Sequence, residues 1–109
     1  LVEFGPPKFE KEKEKRSLSV DFYNSLVFQF WKEREQAQQE RLHGNIFHAW
    51  RITKSFAALL PNSPKKHELM MFIAKTDARR DYTQSDTINK YYNAIPQAWE
   101  KIASILSEP

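Results

Sequence analysis

The stretch that decides the fold is NIFHAWRITKSFAALL at positions 45–60. Its apolar residues recur every three or four positions, which is the spacing that places side chains on one face of an α-helix. The opposite face carries His48, Arg51 and Ser55, with Lys54 at its margin. We therefore predict an amphipathic helix that buries one stripe and presents the other side to solvent. The buried stripe comprises Ile46, Ala49, Trp50, Thr53, Phe56, Ala57 and Leu60.

The residues after this stretch predict an antiparallel helical hairpin. Pro61 ends the first helix, and Ser63 is placed to cap the next one with its hydroxyl. Pro64 then occupies the first helical position, where its missing N–H costs nothing. The second helix of the hairpin is predicted to run from Pro64 to about Arg80. Its buried stripe comprises Leu69, Phe72, Ile73 and Thr76.

A long helix is predicted before the hairpin. Ser17 or Ser19 is a candidate for its N-cap, and Gly44 for its end, because glycine readily takes the left-handed conformation found there. The first half carries an apolar stripe, whereas the half at Lys32–Arg41 is strongly polar and is expected to project into solvent or lie against a partner. The stripe comprises Phe22, Tyr23, Leu26, Val27, Phe30 and Trp31.

Residues 1–16 differ in composition from the rest of the chain. They contain Gly5-Pro6-Pro7 and then alternate Lys with Glu, which favours either an extended charged arm or a frayed helical lead-in. The predicted division is therefore an extended N-terminal arm at 1–16 and a helical bundle domain at 17–109. At the other end of the chain, Thr83 is expected to cap a helix that stops at Ile95, and Pro96 is expected to open a separate last helix.

Composition favours a single all-α domain, a compact bundle of about five helices. The 109 residues include only two glycines, and no β-branched run alternates with period two. The absence of cysteine excludes disulfides and thiolate metal sites, and no apolar run approaches the roughly 20 residues of a membrane span. We expect a cytoplasmic protein without a signal peptide. The chain starts without Met, as a processed product, a trimmed segment or a part of a longer reading frame does.

No motif for catalysis or for metal binding occurs. The three histidines, His43, His48 and His67, lack the spacing of metal ligands. Asp77 and Asp81 lie four residues apart and form either a general acid/base couple or, as we expect, salt bridges with Arg80 and its neighbours. The sequence predicts no enzyme activity, no cofactor and no metal.

The three tryptophans each fall on an apolar stripe of a different helix. Trp31, Trp50 and Trp99 are therefore expected in the core. The alternative, a stacking platform for bases, requires exposed rings next to cations.

Positive charge is concentrated in the middle of the chain. The net charge is +3, but residues 45–80 hold seven Lys/Arg against two Asp/Glu. Such a segment is either a solvated surface or a patch that contacts phosphates without reading bases. Four or five of its cations are expected to converge, with Lys65 and Lys66 at the other end of their helix from Arg80. The candidate nucleic-acid-binding residues are Arg51, Lys54, Lys65, Lys66, Lys75, Arg79 and Arg80.

Three segments carry a family resemblance: FHAWRITKSFAALLP at 47–61, HELMMFIAKT at 67–76 and YYNAIPQAWEKI at 91–102. With the basic middle and the short helical architecture, they resemble the small helical subunits of multi-subunit (class 1) CRISPR effector complexes. The likeness covers the architecture of most of the chain and almost no specific sequence. It implies copies stacked head to tail along a ribonucleoprotein, with basic faces on a nucleic-acid backbone.

The function predicted first is that of a non-catalytic helical subunit of a nucleoprotein complex, which contacts the backbone of RNA or single-stranded DNA without sequence specificity. Its partners would be other subunits, including copies of itself, and no membrane. The alternative is a protein–protein interaction or scaffold module without nucleic-acid contact. In that alternative, the Lys32–Arg41 end of the long helix and the arm residues Phe4 and Phe9 grip a partner.

Overall fold

The structure is a computed structural model that describes the backbone of residues 6–107 and the side chains of residues 20–107. Within this part of the chain all regular structure is helical, so the all-α prediction is confirmed. The expected number of about five helices is wrong, because residues 6–107 form four. They are α1 (Pro6–Leu42), α2 (Ile46–Leu59), α3 (Pro64–Ala78) and α4 (Gln84–Leu106).

Each connection between helices uses the local chemistry predicted for it. Gly44 has a φ of 90° and ends α1 in the left-handed region. The Ser63 hydroxyl accepts a hydrogen bond from the Lys66 N–H at 3.0 Å at the start of α3. The Thr83 hydroxyl accepts from the Asp86 N–H at 2.9 Å at the start of α4. The hairpin of α2 and α3 and both caps are therefore confirmed.

The core lies where α1, α2 and α4 meet. Phe30 of α1 packs against Phe56 of α2 and Trp99 of α4, with ring centroids 6.3 and 5.8 Å apart. Phe56 also contacts Trp99 at 5.4 Å. The buried Trp99 indole donates to the Thr53 hydroxyl at 2.8 Å, so the polar edge of the largest core side chain has a partner. Successive helices run antiparallel, and α3 adds Leu69 and Ile73 to the core.

The separate last helix predicted after Pro96 does not exist, because α4 continues through this residue. A proline inside a helix leaves the carbonyl four residues earlier without its N–H donor. In this chain that carbonyl belongs to Tyr92, and the Arg41 Nε of α1 donates to it at 2.8 Å. The Arg41 guanidinium also stacks 3.8 Å above the Tyr92 ring. A donor from another helix thus replaces the one that proline removes.

The long helix α1 starts earlier than the sequence predicts. It begins at Pro6, so Ser17 and Ser19 lie inside the helix, and the expectation that one of them caps it is wrong. The backbone of residues 6–16 is helical, so of the two alternatives predicted for this segment the helical one is correct and the extended one is wrong. Phe4 and the side chain of Phe9 lie outside the described part. The division into an arm and a bundle domain stays a prediction.

The polar half of α1 lies on the bundle. Ala37 is completely buried, and Arg41 reaches across to α4. The expectation that Lys32–Arg41 projects into solvent is therefore wrong, while the alternative that it lies against a partner stays a prediction. Its polar side chains surround a single buried position, Ala37, through which the segment packs.

Candidate functional site

Lys65 and Lys66, the two predicted basic residues at the start of α3, form hydrogen bonds with other parts of the bundle. Lys66 donates to the carbonyl oxygens of Leu60 at 2.6 Å and Ala58 at 3.2 Å, which satisfies acceptors left open at the end of α2. Lys65 donates to the Ser104 hydroxyl of α4 at 3.1 Å. Both ammonium groups therefore have bonding partners inside the chain.

Asp77 of α3 accepts hydrogen bonds from side chains of two neighbouring helices. Its carboxylate accepts from the Trp50 indole at 2.8 Å, from the Lys54 ammonium at 3.1 Å and from the Tyr91 hydroxyl at 3.2 Å. Partial burial raises the pKa of this carboxyl, but the hydrogen bonds from Trp50 and Lys54 outweigh it, and the pKa lies below its ordinary value of 3.8. The charge of Lys54 is thus paired with a carboxylate.

The Asp77 network makes the stability of the fold dependent on pH. A carboxyl whose pKa is lower when folded stabilises the native state above the unfolded pKa, and this contribution is lost as the pH falls through the folded pKa. We expect Asp77→Asn to be less stable than the wild type near pH 7, and the difference to shrink below the ordinary pKa of 3.8. Urea unfolding followed by circular dichroism at several pH values measures this. A difference that stays constant down to acid pH would contradict the network.

A second carboxylate, Asp81, lies in the connection between α3 and α4. The buried Lys90 ammonium donates to it at 2.7 Å and to the Arg79 carbonyl at 3.1 Å. The hydrogen bond from Lys90 lowers the pKa of Asp81, and the same bond raises the pKa of Lys90. The Arg79 guanidinium lies 4.0 Å from Asp81. Asp77 and Asp81 therefore bind different lysines. The expected salt bridging is confirmed for Arg79, the neighbour of Arg80, while Arg80 itself is not among their contacts within residues 20–107.

Three of the seven predicted cations have exposed side chains and no hydrogen bond or salt bridge among residues 20–107. They are Arg51 of α2, Lys75 of α3 and Arg80, which follows α3. The full set is divided between the two ends of α3, about 20 Å apart at 1.5 Å per residue. Lys54, Lys65, Lys66 and Arg79 all have contacts within the chain. Nucleic-acid binding by the seven residues stays a prediction.

The described residues form a groove between α1 and α4. The two helices are joined at both ends: the Tyr23 hydroxyl donates to the Leu106 carbonyl, and Arg41 donates to the Tyr92 carbonyl. Between these contacts the groove has a volume of about 820 Å³. We call this feature the α1–α4 groove.

The floor of the α1–α4 groove is apolar and its rim carries both charges. Phe30, Trp99 and Leu106 form the floor, and they are core residues whose outer edges face the groove. The lining charges are Arg34, Glu35 and Arg41 of α1 with Glu100 of α4. Such a site has a hydrophobic base with a few polar groups above it, which is the usual composition of a docking groove.

Large apolar side chains lie exposed on α1, the helix that forms one wall of the groove. Trp31 is 62% exposed and Phe28 is 71% exposed, and Val20, Phe22 and Tyr23 are each about half exposed. Trp31 and Tyr23 line the groove itself. This concentration of apolar surface on one helix exceeds the scattered single residues that a protein surface normally shows.

The prediction that all three tryptophans are core residues is confirmed for Trp50 and Trp99 and wrong for Trp31. Adjacent helical positions point about 100° apart, so Trp31 does not enter the space that Phe30 fills. Phe30 already occupies the space between α2 and α4, and its neighbour Trp31 is turned outward. The Arg34 guanidinium lies 5.9 Å from the Trp31 ring.

A signal for this surface is present in the sequence. Between Val20 and Trp31, eight of the twelve residues of α1 are apolar or aromatic, including Phe28, which lies off the predicted stripe. An apolar surface wider than one stripe needs neighbours on more than one side of the helix. The bundle supplies neighbours for one side only.

The described residues contain neither a cluster of three or more potential metal ligands nor a helix long and apolar enough to cross a bilayer. Comparisons of the chain with protein-family models, with curated proteins and with solved structures find no match.

Proposed function

We propose that this chain is a non-catalytic helical subunit of a larger assembly and that it binds a protein partner through the α1–α4 groove. The occupant is an amphipathic helix whose apolar side chains enter the groove. The observation that carries the proposal is the exposure of Trp31 and Phe28 beside an apolar cleft. Aromatic anchors next to a groove are the side chains that contribute most to protein interfaces.

The dimensions of the groove support a helical occupant. On α4 it runs between the contacts at Tyr92 and Leu106, which is about 20 Å at 1.5 Å per residue. A helix of about four turns spans this length. Recognition of an amphipathic helix by a hydrophobic groove uses side chains spaced three and four residues apart, and two antiparallel helical walls provide a matching channel.

Site-specific crosslinking tests this function. The photoreactive residue p-benzoylphenylalanine is placed at Trp31, and in a matched control at Met71, which is also partly exposed but lies on α3. We expect crosslinked partner only from position 31 in an extract of the source cells. The purified partner should then protect Trp31 from acrylamide quenching. Equal crosslinking at both positions, or none at position 31, would contradict the proposal.

A second candidate function is contact with a nucleic-acid backbone, as the resemblance to the CRISPR small subunits implies. The observation that favours it is the set of exposed cations that have no hydrogen bond or salt bridge in the described part: Arg51, Lys75 and Arg80. Cations of this kind bind phosphates without sequence preference, and their affinity falls steeply with salt. The pairing of Lys54 and Arg79 with carboxylates leaves fewer charges for this role than the sequence suggests.

Fluorescence anisotropy with single-stranded and duplex oligonucleotides tests the second candidate at about 50 and 200 mM salt. Arg51→Glu/Arg80→Glu is compared with Lys32→Glu/Lys101→Glu, which changes the net charge equally at other exposed positions. The candidate requires binding that weakens with salt and that only the first variant loses. Equal losses in both variants would indicate an effect of net charge alone and would rule out a site at these residues.

A further inference from the structure

We propose that the partner helix in the α1–α4 groove is α1 of a second copy of this chain, in an antiparallel two-fold dimer. This inference rests on the proposed function, because it names the occupant of the same groove. Closed two-fold dimers are the commonest protein oligomers, and their interface is one surface that complements itself. Here α1 supplies both halves, since it forms a wall of the groove and also carries the exposed apolar side chains.

The spacing of five residues on one face of α1, four of which line the groove, fits an antiparallel pair. Val20, Tyr23, Val27, Trp31 and Arg34 lie at equal distances on the two sides of Val27. A two-fold axis through Val27 therefore places Tyr23 of one copy opposite Trp31 of the other. It also places Val20 opposite the aliphatic stem of Arg34, which covers apolar surface while its charged end stays in water. Positions at intervals of three and four residues form one face of a helix.

The exposed area is large enough for a dimer. Aromatic side chains carry about 150–250 Å² each, so the exposed fractions of Tyr23 and Trp31, with Val20 and with Phe28 at the edge of the paired face, give on the order of 400–500 Å² per copy. Two copies with the flanking stems bury about 1,000 Å², the minimum for a specific interface. Such a contact is weak to moderate in affinity, so dimer formation depends on concentration.

The charges of α1 are compatible with a second copy of itself. Residues 20–42 hold three Lys/Arg and four Asp/Glu, with both signs interspersed. Two nearly neutral faces approach without strong repulsion, whereas a highly charged occupant gains little from such a surface. The groove rim has the same balance, with Arg34 and Arg41 against Glu35 and Glu100.

Disulfide trapping provides the sharpest test, because the native chain contains no cysteine. In Val27→Cys the two thiols meet at the proposed axis, while in Ser25→Cys the thiol lies on an exposed face turned away from it. We expect roughly tenfold or more disulfide-linked dimer from Val27→Cys under mild oxidation, since association raises the local thiol concentration. Trp31→Glu added to Val27→Cys should abolish this excess while the helical circular dichroism is retained.

Intrinsic fluorescence gives an independent readout in the unmodified protein. Trp50 and Trp99 are buried, so quenching by acrylamide reports mainly on Trp31. Its quenching should fall as the protein concentration rises, in parallel with the mass from light scattering. A monomer at all concentrations, with Val27→Cys no more dimeric than Ser25→Cys, would overturn this inference. If p-benzoylphenylalanine at position 31 then still captures a different protein, the proposed function stands and only the second copy is excluded.

Discussion

Phe56→Ala is expected to lower the free energy of unfolding by about 3–5 kcal/mol, the usual loss for removing a fully buried phenylalanine. Phe56 is 1% exposed and lies between Phe30 and Trp99, where α1, α2 and α4 meet. Alanine at this position removes the ring and leaves a cavity that three separate helices would have to move to fill. Because a small domain has only about 5–15 kcal/mol of stability, a loss of this size brings the protein close to unfolding.

Phe47→Ala is the matched control for this prediction. Phe47 lies on the same helix and is 55% exposed, with one edge-on contact to Tyr91 at 5.6 Å. Its removal should cost only about 0.5–1.5 kcal/mol, the range measured for such aromatic pairs. Urea unfolding of both variants gives the comparison. Equal losses would mean that Phe56 does not occupy the centre of the core.

The helices were predictable from the sequence where local chemistry determines them. The stripe from Ile46 to Leu60 predicts α2, and the caps at Ser63 and Thr83 predict the starts of α3 and α4. These signals act within a few residues, so the sequence contains all of their parts. The continuation of α4 was not predictable in this way, because the donor that replaces the N–H of Pro96 comes from Arg41, 55 positions away.

The predicted and the structural views of the surface differ for a related reason. The sequence shows that Lys54, Lys66 and Arg79 are charged, but their hydrogen-bond and salt-bridge partners are defined only by the packing of the helices. Conversely, the stripe that suggested a buried Trp31 belongs to one helix alone, and whether another helix covers it depends on how α1 and α4 pack against each other. The groove and the contacts of the basic residues could therefore be identified only from the packing of the helices.

Pro96→Ala is expected to stabilise the protein by about 1–3 kcal/mol. Proline in a helix interior is about 3 kcal/mol less favourable than alanine, and part of that penalty is already offset here by the bond from Arg41 to the Tyr92 carbonyl. Alanine restores the N–H that this carbonyl lacks. The gain is measured as an increase in the unfolding free energy, and a loss of stability would mean that the proline ring is needed for packing beside the groove.

Arg41 and Pro96 should have non-additive effects on the free energy of unfolding, and this tests why α4 continues through Pro96. With Pro96 present, Arg41→Met removes the donor to the Tyr92 carbonyl and lowers the free energy of unfolding. This decrease should be larger than the decrease that Arg41→Met causes in the Pro96→Ala background, by about 1 kcal/mol, the net contribution of one hydrogen bond. Arg34→Met is the control, because its guanidinium lies over the Phe30 and Trp31 rings at 5.9 Å and does not contact the Tyr92 carbonyl. Its loss should be the same in both backgrounds. If Arg41→Met is also additive with Pro96→Ala, the Arg41 bond does not substitute for the missing backbone donor, and α4 continues through Pro96 because of packing alone.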